Sequence, residues 1–439
     1  MKKAAPFFKG ILTFCAAAVA CMLLLLAVIA AIPQRSIAEN CRDAADYFSA
    51  HDGFPLLIEG VEGSRIDNYA DTALLDVIYC ADSAQPLRSM IAAPYYRNDG
   101  QDIRADFQAA VDGAASNNEY ARYWHGSQVF LRPLLLVTSI EGCRAALFVL
   151  FLAINAALAV FLVRKKAFLP LVGYFAALVC VQFYTAAFTL EYIMVLLVMS
   201  AASLAVAALK DRRHLTTVFI LSGVLTCFLD FLTAETLSFT VPALLALMLM
   251  EKERRTLATY LLQLVKWGAA WLCSYAAMFA IKWLAVWATA GEEVFRNIFT
   301  FAALRIDGQT LLTDGTVGTV TPLTALARNL AALIPFVNEN ASVTAVILTA
   351  VAVLLLIFAV LYLFRGDGLD MGYLLCLLLV GLLPYVRYCL IYSHAHVHYF
   401  FTFRAQMALL LAVFAICVHC LRSSPLWHKK APHKKGGRR

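Results

Sequence analysis

The chain has 439 residues, of which 62% are hydrophobic and only 15% charged, with a formal net charge of +7. Soluble domains run at roughly 45–50% apolar and about 25% charged, so this composition excludes a soluble enzyme with a large core and points to a polytopic membrane protein. It also removes the positive excess as a sign of nucleic-acid binding; what matters is where those charges fall.

Residues 1–10 form a short N-terminal segment with Lys2, Lys3 and Lys9, ahead of an apolar run at 11–32. That run is longer than the roughly 7–15 residues of a signal-peptide core, and it reads as an uncleaved first transmembrane helix. A long polar stretch, 33–140, follows. Between Arg35 and Arg122 it holds seven arginines, no lysine and fifteen Asp or Glu. Residues 141–421 are then dominated by apolar runs at about 143–163, 168–188, 192–209, 215–232, 237–250, 257–286, 342–364, 371–391 and 399–421. A bilayer core takes about 20 residues of helix, so with the first run the expectation is about ten spans. The run 237–250, short and carrying Pro242, is the weakest. A second polar stretch occupies 287–341, and 422–439 is a basic tail.

Charge bias orients these spans. "RKK" at 164–166, "KDRRH" at 210–214, "EKERR" at 251–255, Arg365 and the tail fall on alternate connections, on the side of the N-terminus. By the positive-inside rule that side, with both termini, is cytoplasmic, and 33–140 faces outward. The cytoplasmic connections are too short for a soluble catalytic domain, and no P-loop or Rossmann fingerprint is present. Any chemistry is therefore expected at the outer surface. Most of the 12 cysteines lie in apolar runs, as small buried hydrophobes do. Cys41 and Cys80, in the long polar stretch, are open to pairing in an oxidising compartment.

Within that stretch, "SRIDNYADTALLDVIY" sets Asp67 and Asp71 four apart, on one helix face. The apolar-periodic Leu74, Leu75 and Ile78 that follow predict a helix lying along the membrane surface. The acids fit a general base with a tuning or cation-holding partner, or a capping carboxylate beside a solvated one. "EYARYWHGSQVFLRPLLL" crowds Tyr120, Tyr123, Trp124 and His125 just before the second span. These read as an interfacial aromatic belt or as a sugar-stacking wall, with Gly126 permitting close approach, Arg122 flanking and Arg132 free to snorkel.

Charge in or beside a span is costly and so informative. Glu191, Asp230, Glu235, Lys282, Arg387 and Arg404 all fall toward the outer face. Cations there suit a lipid-linked phosphate; internal pairs such as Asp230 with Lys282 are the alternative. Finally, "SHAHVHYFFTFRAQ" places His394, His396 and His398 two apart, followed by Tyr399 and Arg404. In a strand all three histidines share a face; in a helix only His394 and His398 do. They suit neutral interfacial hydrogen bonding, contacts to a substrate phosphate or sugar, or, more weakly, a zinc site.

The layout resembles the GT-C superfamily of membrane glycosyltransferases, all-α polytopic bundles with a large helical first outer loop. "RYWHGSQVFLRPLLL", "FLDFLT" and "HYFFTFRA" are similar to segments of bacterial membrane proteins grouped with it. The resemblance implies a polyprenyl-phosphate-linked sugar as donor at the outer leaflet of a bacterial plasma membrane, a lipid- or polymer-linked glycan of the cell envelope as acceptor, and no nucleotide or nucleic acid. It implies an acid of the first outer loop as base, Asp67 first and Asp71 second, with inversion at the anomeric carbon. Substrate contacts then fall to Tyr123, Trp124, His125, Asp230, Glu235, Lys282, Arg387, His394, His396, His398, Tyr399 and Arg404. The carboxylates are spaced DxxxD rather than DxD or DE and lie about 35 residues past the first span, so the need for a divalent cation, magnesium or manganese, stays open. Two rivals stand beside this reading. One is a lipid or polysaccharide transporter or flippase, whose ionisable residues would lie near the bilayer midplane between internal repeats. The other is a phosphoglycolipid-modifying transferase relying on histidine.

Overall fold

Among the described residues of the computed structural model, seven helices are long and apolar enough to cross a membrane: Thr13–Ala30, Ile140–Arg164, Leu190–Ala208, Leu257–Ala290, Val343–Tyr362, Met371–Leu390 and Tyr399–Ser423. The structure describes residues 4–253, 255–311, 317–334, 342–363 and 369–423. Lys2, Lys3, Arg365, residues 312–316 and 335–341 of the second polar stretch, and the tail beyond 423 lie outside the described residues. The remaining apolar runs of the sequence form shorter helices. Leu215–Leu229 and Leu237–Met250 are 15 and 14 residues long. The run 168–188 is broken: helix Phe168–Cys180 ends before Gln182, whose φ of 56° leaves the helical region, and a 3-10 turn Phe183–Ala187 follows. The molecule is thus a helical membrane protein; strands are limited, among the described residues, to two short antiparallel pairs.

The bundle is built around Leu190–Ala208, 83% of whose apolar window is buried. Ile140–Arg164, Leu215–Leu229 and Leu237–Met250 pack against it. Between apolar helices in lipid, small residues and hydrogen bonds do the joining. Asn155 Nδ2 donates to Ser200 Oγ at 3.0 Å, and the Tyr174 hydroxyl donates to Asn155 at 2.9 Å. Gly223 lets Leu215–Leu229 close on Leu257–Ala290, since a Cβ there would run into the Trp271 carbonyl. Val343–Tyr362 is the opposite case: only 6% of its window is buried, so it stands at the lipid-facing periphery.

The stretch 33–140 folds into a small helical layer: Ala38–Ala50, Asn68–Tyr79, Pro86–Ala92, Ile103–Val111 and Gln128–Leu134, with Pro94–Tyr95 paired to Asn118–Glu119. Asn68–Tyr79 is not the membrane-surface helix the periodicity predicts. It is packed by Ala38–Ala50, Ile103–Val111 and Leu190–Ala208, and nine of its residues from Asn68 to Tyr79 are buried. Arg132 does not snorkel either. It is fully buried and donates to the carbonyls of Ile78 (2.7 Å), Ile32 (2.7 Å) and Ala81 (3.3 Å), tying the end of the first span to this layer. Cys41 and Cys80 are both free thiols, Cys41 buried and Cys80 donating to Asp76 at 3.1 Å.

Several charged connections meet at the opposite end of the bundle. Lys165 donates to the Leu209 carbonyl, Arg212 to that of Leu249, and Glu251 takes bonds from His419 and Arg422. The helical layer and the histidine turn lie at the other end.

Candidate active site

Asp67 is the N-cap of Asn68–Tyr79, its Oδ1 accepting from the Ala70 N–H at 2.7 Å, while its own N–H donates to Thr189 Oγ1 at 3.2 Å. Asp71, one turn on, has a different fate. Arg144 donates to it from Nε at 2.9 Å and from the terminal nitrogen at 2.7 Å. The N–H groups of Leu190 (2.9 Å) and Glu191 (3.3 Å) donate to it as well. Asp71 therefore neutralises Arg144 and caps the central helix, the place where a carboxylate suits the helix dipole. That cap sets Glu191 beside Asp67, within hydrogen-bonding reach. Burial pushes the Asp67 carboxyl up to about 7; the charge of Asp71 adds to this, and bonds from Ala70 and Glu191 work against it.

Asp67 and Glu191 line a cavity of about 460 Å³. Arg122, Arg305, His125, His394 and His398 also line it. Arg122 is wedged between rings, its guanidinium 4.0 Å from the Tyr120 centroid and 4.6 Å from that of Phe301. Three residues of this lining carry a buried polar atom with no partner in the protein: Arg122 Nε, His125 Nδ1 and Glu191 Oε2. Buried polar groups are nearly always satisfied, so one donor and two acceptors left over around a single cavity mark a place for a polar ligand. His125 is held for this by an unusual backbone: its φ is 52°, and its Nε2 donates to the Tyr120 carbonyl at 2.8 Å, which leaves Nδ1 as the acceptor. Burial, and then the Lys282 charge, push it down to about 3, so it stays neutral.

The histidine turn is helical over Tyr392–Val397, so His394 and His398 share a face, their rings 4.7 Å apart. Each histidine of the trio accepts from its own arginine: His394 Nδ1 from Arg387 (3.3 Å), His396 Nε2 from Arg328 (3.2 Å) and His398 Nε2 from Arg305 (3.3 Å). A guanidinium only donates, so all three imidazoles are neutral. Burial, reinforced by these cations, pushes His396 down to about 4 and His398 to about 3, with His394 also far below its ordinary value. A ring whose one nitrogen accepts from arginine keeps its proton on the other, with no lone pair left for a metal. Among the described residues, no group of three or more His, Cys, Asp or Glu is placed to hold one. The three histidines do not fit a zinc site, and no step below uses a metal ion.

The other candidates are spent elsewhere. Glu235 pairs with Arg387 at 2.8 Å, and Lys282 donates to the Ile91 carbonyl at 2.5 Å; the Asp230–Lys282 pair does not form, and Asp230 accepts from Thr233 instead. Arg404 donates to the carbonyls of Phe400 and Gly63 at 2.8 and 3.1 Å and lies 4.2 Å from the Tyr192 ring. The Tyr399 hydroxyl donates to Glu62 at 2.6 Å. The Trp124 indole donates to the Met278 carbonyl at 3.0 Å. Tyr123 backs the cavity, edge-on to Phe231 at 5.6 Å.

The cavity thus gathers Asp67, His125, His394 and His398 from the sequence candidates and adds Glu191, Arg122 and Arg305. Glu191 carried a signal, an acid at the end of an apolar run. Arg305 carried none, since it follows helix Glu292–Ala303 in an irregular turn. No known protein family matches this chain, and neither a curated protein nor a solved structure matches it.

Proposed function

We propose that the chain is a membrane glycosyltransferase of GT-C type, moving a sugar from a polyprenyl-phosphate-linked donor to a cell-envelope acceptor at the outer face of a bacterial plasma membrane. The observation that carries the reading is the set of unpartnered buried atoms around one cavity whose lining holds two carboxyls and two guanidiniums. In this reading the Asp67 carboxylate, supported by Glu191, takes the proton of the acceptor hydroxyl. The acceptor oxygen attacks the anomeric carbon from the face opposite the phosphate. The bond between that carbon and the phosphate oxygen breaks, and its electron pair leaves on the phosphate, where Arg122 and Arg305 offset the new charge. Neutral His125, through Nδ1, accepts from a sugar hydroxyl.

A position at one end of the bundle supports surface chemistry over transport, because a carrier's ionisable residues gather near the bilayer midplane. The test is sugar transfer by the purified chain in liposomes containing a polyprenyl-phosphate sugar. Loss in both Asp67→Asn and Glu191→Gln with the fold intact is the expected result; full activity in both would sink the reading. The outer location is tested separately with Asn117→Cys, an exposed position. It should react with an impermeant maleimide in intact spheroplasts, whereas buried Cys41 and hydrogen-bonded Cys80 are poor reporters.

A further inference from the structure

The rim of the cavity is of two kinds. Some of the lining residues that reach the surface are polar: Asp99 and Asn118 are exposed, with Arg97 half-buried and paired with Asp106. Others are aromatic: Phe54 is 42% exposed, Tyr69 39% and Phe301 44%, although all three line the cavity. Phe54 and Phe301 do not stand alone. Leu57 and Ile58 are exposed just past Phe54, and Phe299, Leu304 and Ile306, near Phe301 in sequence, are exposed too. Exposed apolar residues grouped in this way mark a contact with a partner or a membrane.

Two features say which. Helix Glu292–Ala303 starts directly after Leu257–Ala290, across Gly291 with its φ of 95°. At helical spacing, Val294, Phe295, Ile298, Phe299, Phe301 and Ala302 fall on one face and Glu292, Glu293, Arg296 and Asn297 on the other. Val294 and Ile298 of that face pack against the protein's own Val286 and Trp283, while Phe299, Phe301 and Ala302 stay exposed, and a helix of this kind at the end of a span lies in the interface plane with its exposed apolar residues toward the acyl chains. In the other segment, the Phe54 ring meets Phe400 at 5.7 Å, in the first turn of the last span. Both apolar edges therefore stand at the level where spans end.

We propose that the loop 54–58 and the segment 299–306 are seated in the lipid interface, and that the cavity opens between them to the bilayer while its Arg97, Asp99 and Asn118 side opens to water. A substrate anchored by a hydrocarbon chain reaches the acid pair sideways, leaving its chain in the membrane; the second substrate comes from solvent. The identity of the anchored substrate rests on the transfer reading, whereas the seating does not.

The test uses the full chain in phosphatidylcholine liposomes doped with a phospholipid whose acyl chain bears a diazirine near the headgroup. After irradiation, adducts are mapped by mass spectrometry. Adducts at residues 57–58 and 299–306 should match those at the exposed span residue Leu284 and exceed those at 98–100 by about tenfold, as interfacial partitioning requires. Equal labelling at 57–58, 299–306 and 98–100 overturns the seating. The double variant Leu57→Asp, Ile58→Asp removes no buried side chain and should lose labelling at 54–58 while keeping it at Leu284; retained labelling at 54–58 counts against the proposal. The readout needs no sugar donor, so an inactive preparation still tests it. Sugar transfer by a chain whose rim is unlabelled would sink the seating alone.

Discussion

The cavity and the clamps around it are made of the same residue types and differ in one respect. In the clamps every acid has its cation: Asp71 has Arg144, and Glu235 has Arg387. In the cavity Asp67 and Glu191 have only each other and a backbone cap, and Arg122 rests on rings. Charge within a membrane protein is thus a weak sign of function by itself. A buried pair completes its own electrostatics and becomes scaffold; a buried acid left without a cation stays chemically available, at a cost to the fold.

The widest gap between the two regions should open at Asp67 and Asp71. Asp67→Asn should cut transfer about a thousandfold, since asparagine keeps the cap but takes no proton. The same change should raise the melting temperature at pH 8 and leave it nearly unchanged at pH 4. A carboxyl at about 7 when folded, against about 4 when unfolded, holds a proton that the unfolded chain releases. Stability therefore falls as pH rises from about 4 to about 7, and the amide removes that loss. In the proposed transfer the base acts deprotonated, so with Asp67 in that role kcat/KM should rise with pH and level off above about 7. A flat profile would move the base elsewhere.

Arg144→Met breaks the other side of the comparison. It strands Asp71 in the interior and should lower unfolding stability by about 3–5 kcal/mol, read by thermal unfolding in detergent. Adding Asp71→Asn should recover part of that. If Asp71→Asn alone abolished transfer in a well-folded protein, clamp and cavity would have exchanged roles.

The arginines should divide in the same way with smaller effects. Arg305→Gln should raise KM for the donor about tenfold, the worth of a charge-assisted contact. Arg404→Gln should instead lower stability, because its bonds all run to the protein's own atoms. Smallest of all, His396→Asn loses one bond to Arg328 outside the cavity, worth about 1 kcal/mol, with no change in KM.

How much of this was legible in the sequence follows from the range of the forces involved. Composition and apolar runs report burial in lipid, which is local, so the helical membrane class and the position of Leu190–Ala208 could be read directly. Where a run bent, as at Gln182, hydropathy had nothing to say. Asp67 and the histidine pair were visible as titratable chemistry in polar stretches between apolar runs. Which acid was free and which clamped was not, because Asp71 meets Arg144 and Leu190 across 73 and 119 positions of chain. The same long-range pairing took Lys282, Arg387 and Arg404 out of the cavity. It also brought in Arg305, whose neighbours in sequence give no hint of it.

Asp71 has one more consequence. By holding the first turn of Leu190–Ala208 and Arg144 near the start of Ile140–Arg164, it registers the acid pair to two rods that cross the bilayer. The height of those acids above the hydrocarbon is then set by helices of 19 and 25 residues, about 28 and 38 Å long at 1.5 Å per residue, and not by the slack of a surface loop. Hydrophobic thickness becomes a control on the chemistry: lipids that force these rods to tilt would lower the carboxyls toward the acyl chains.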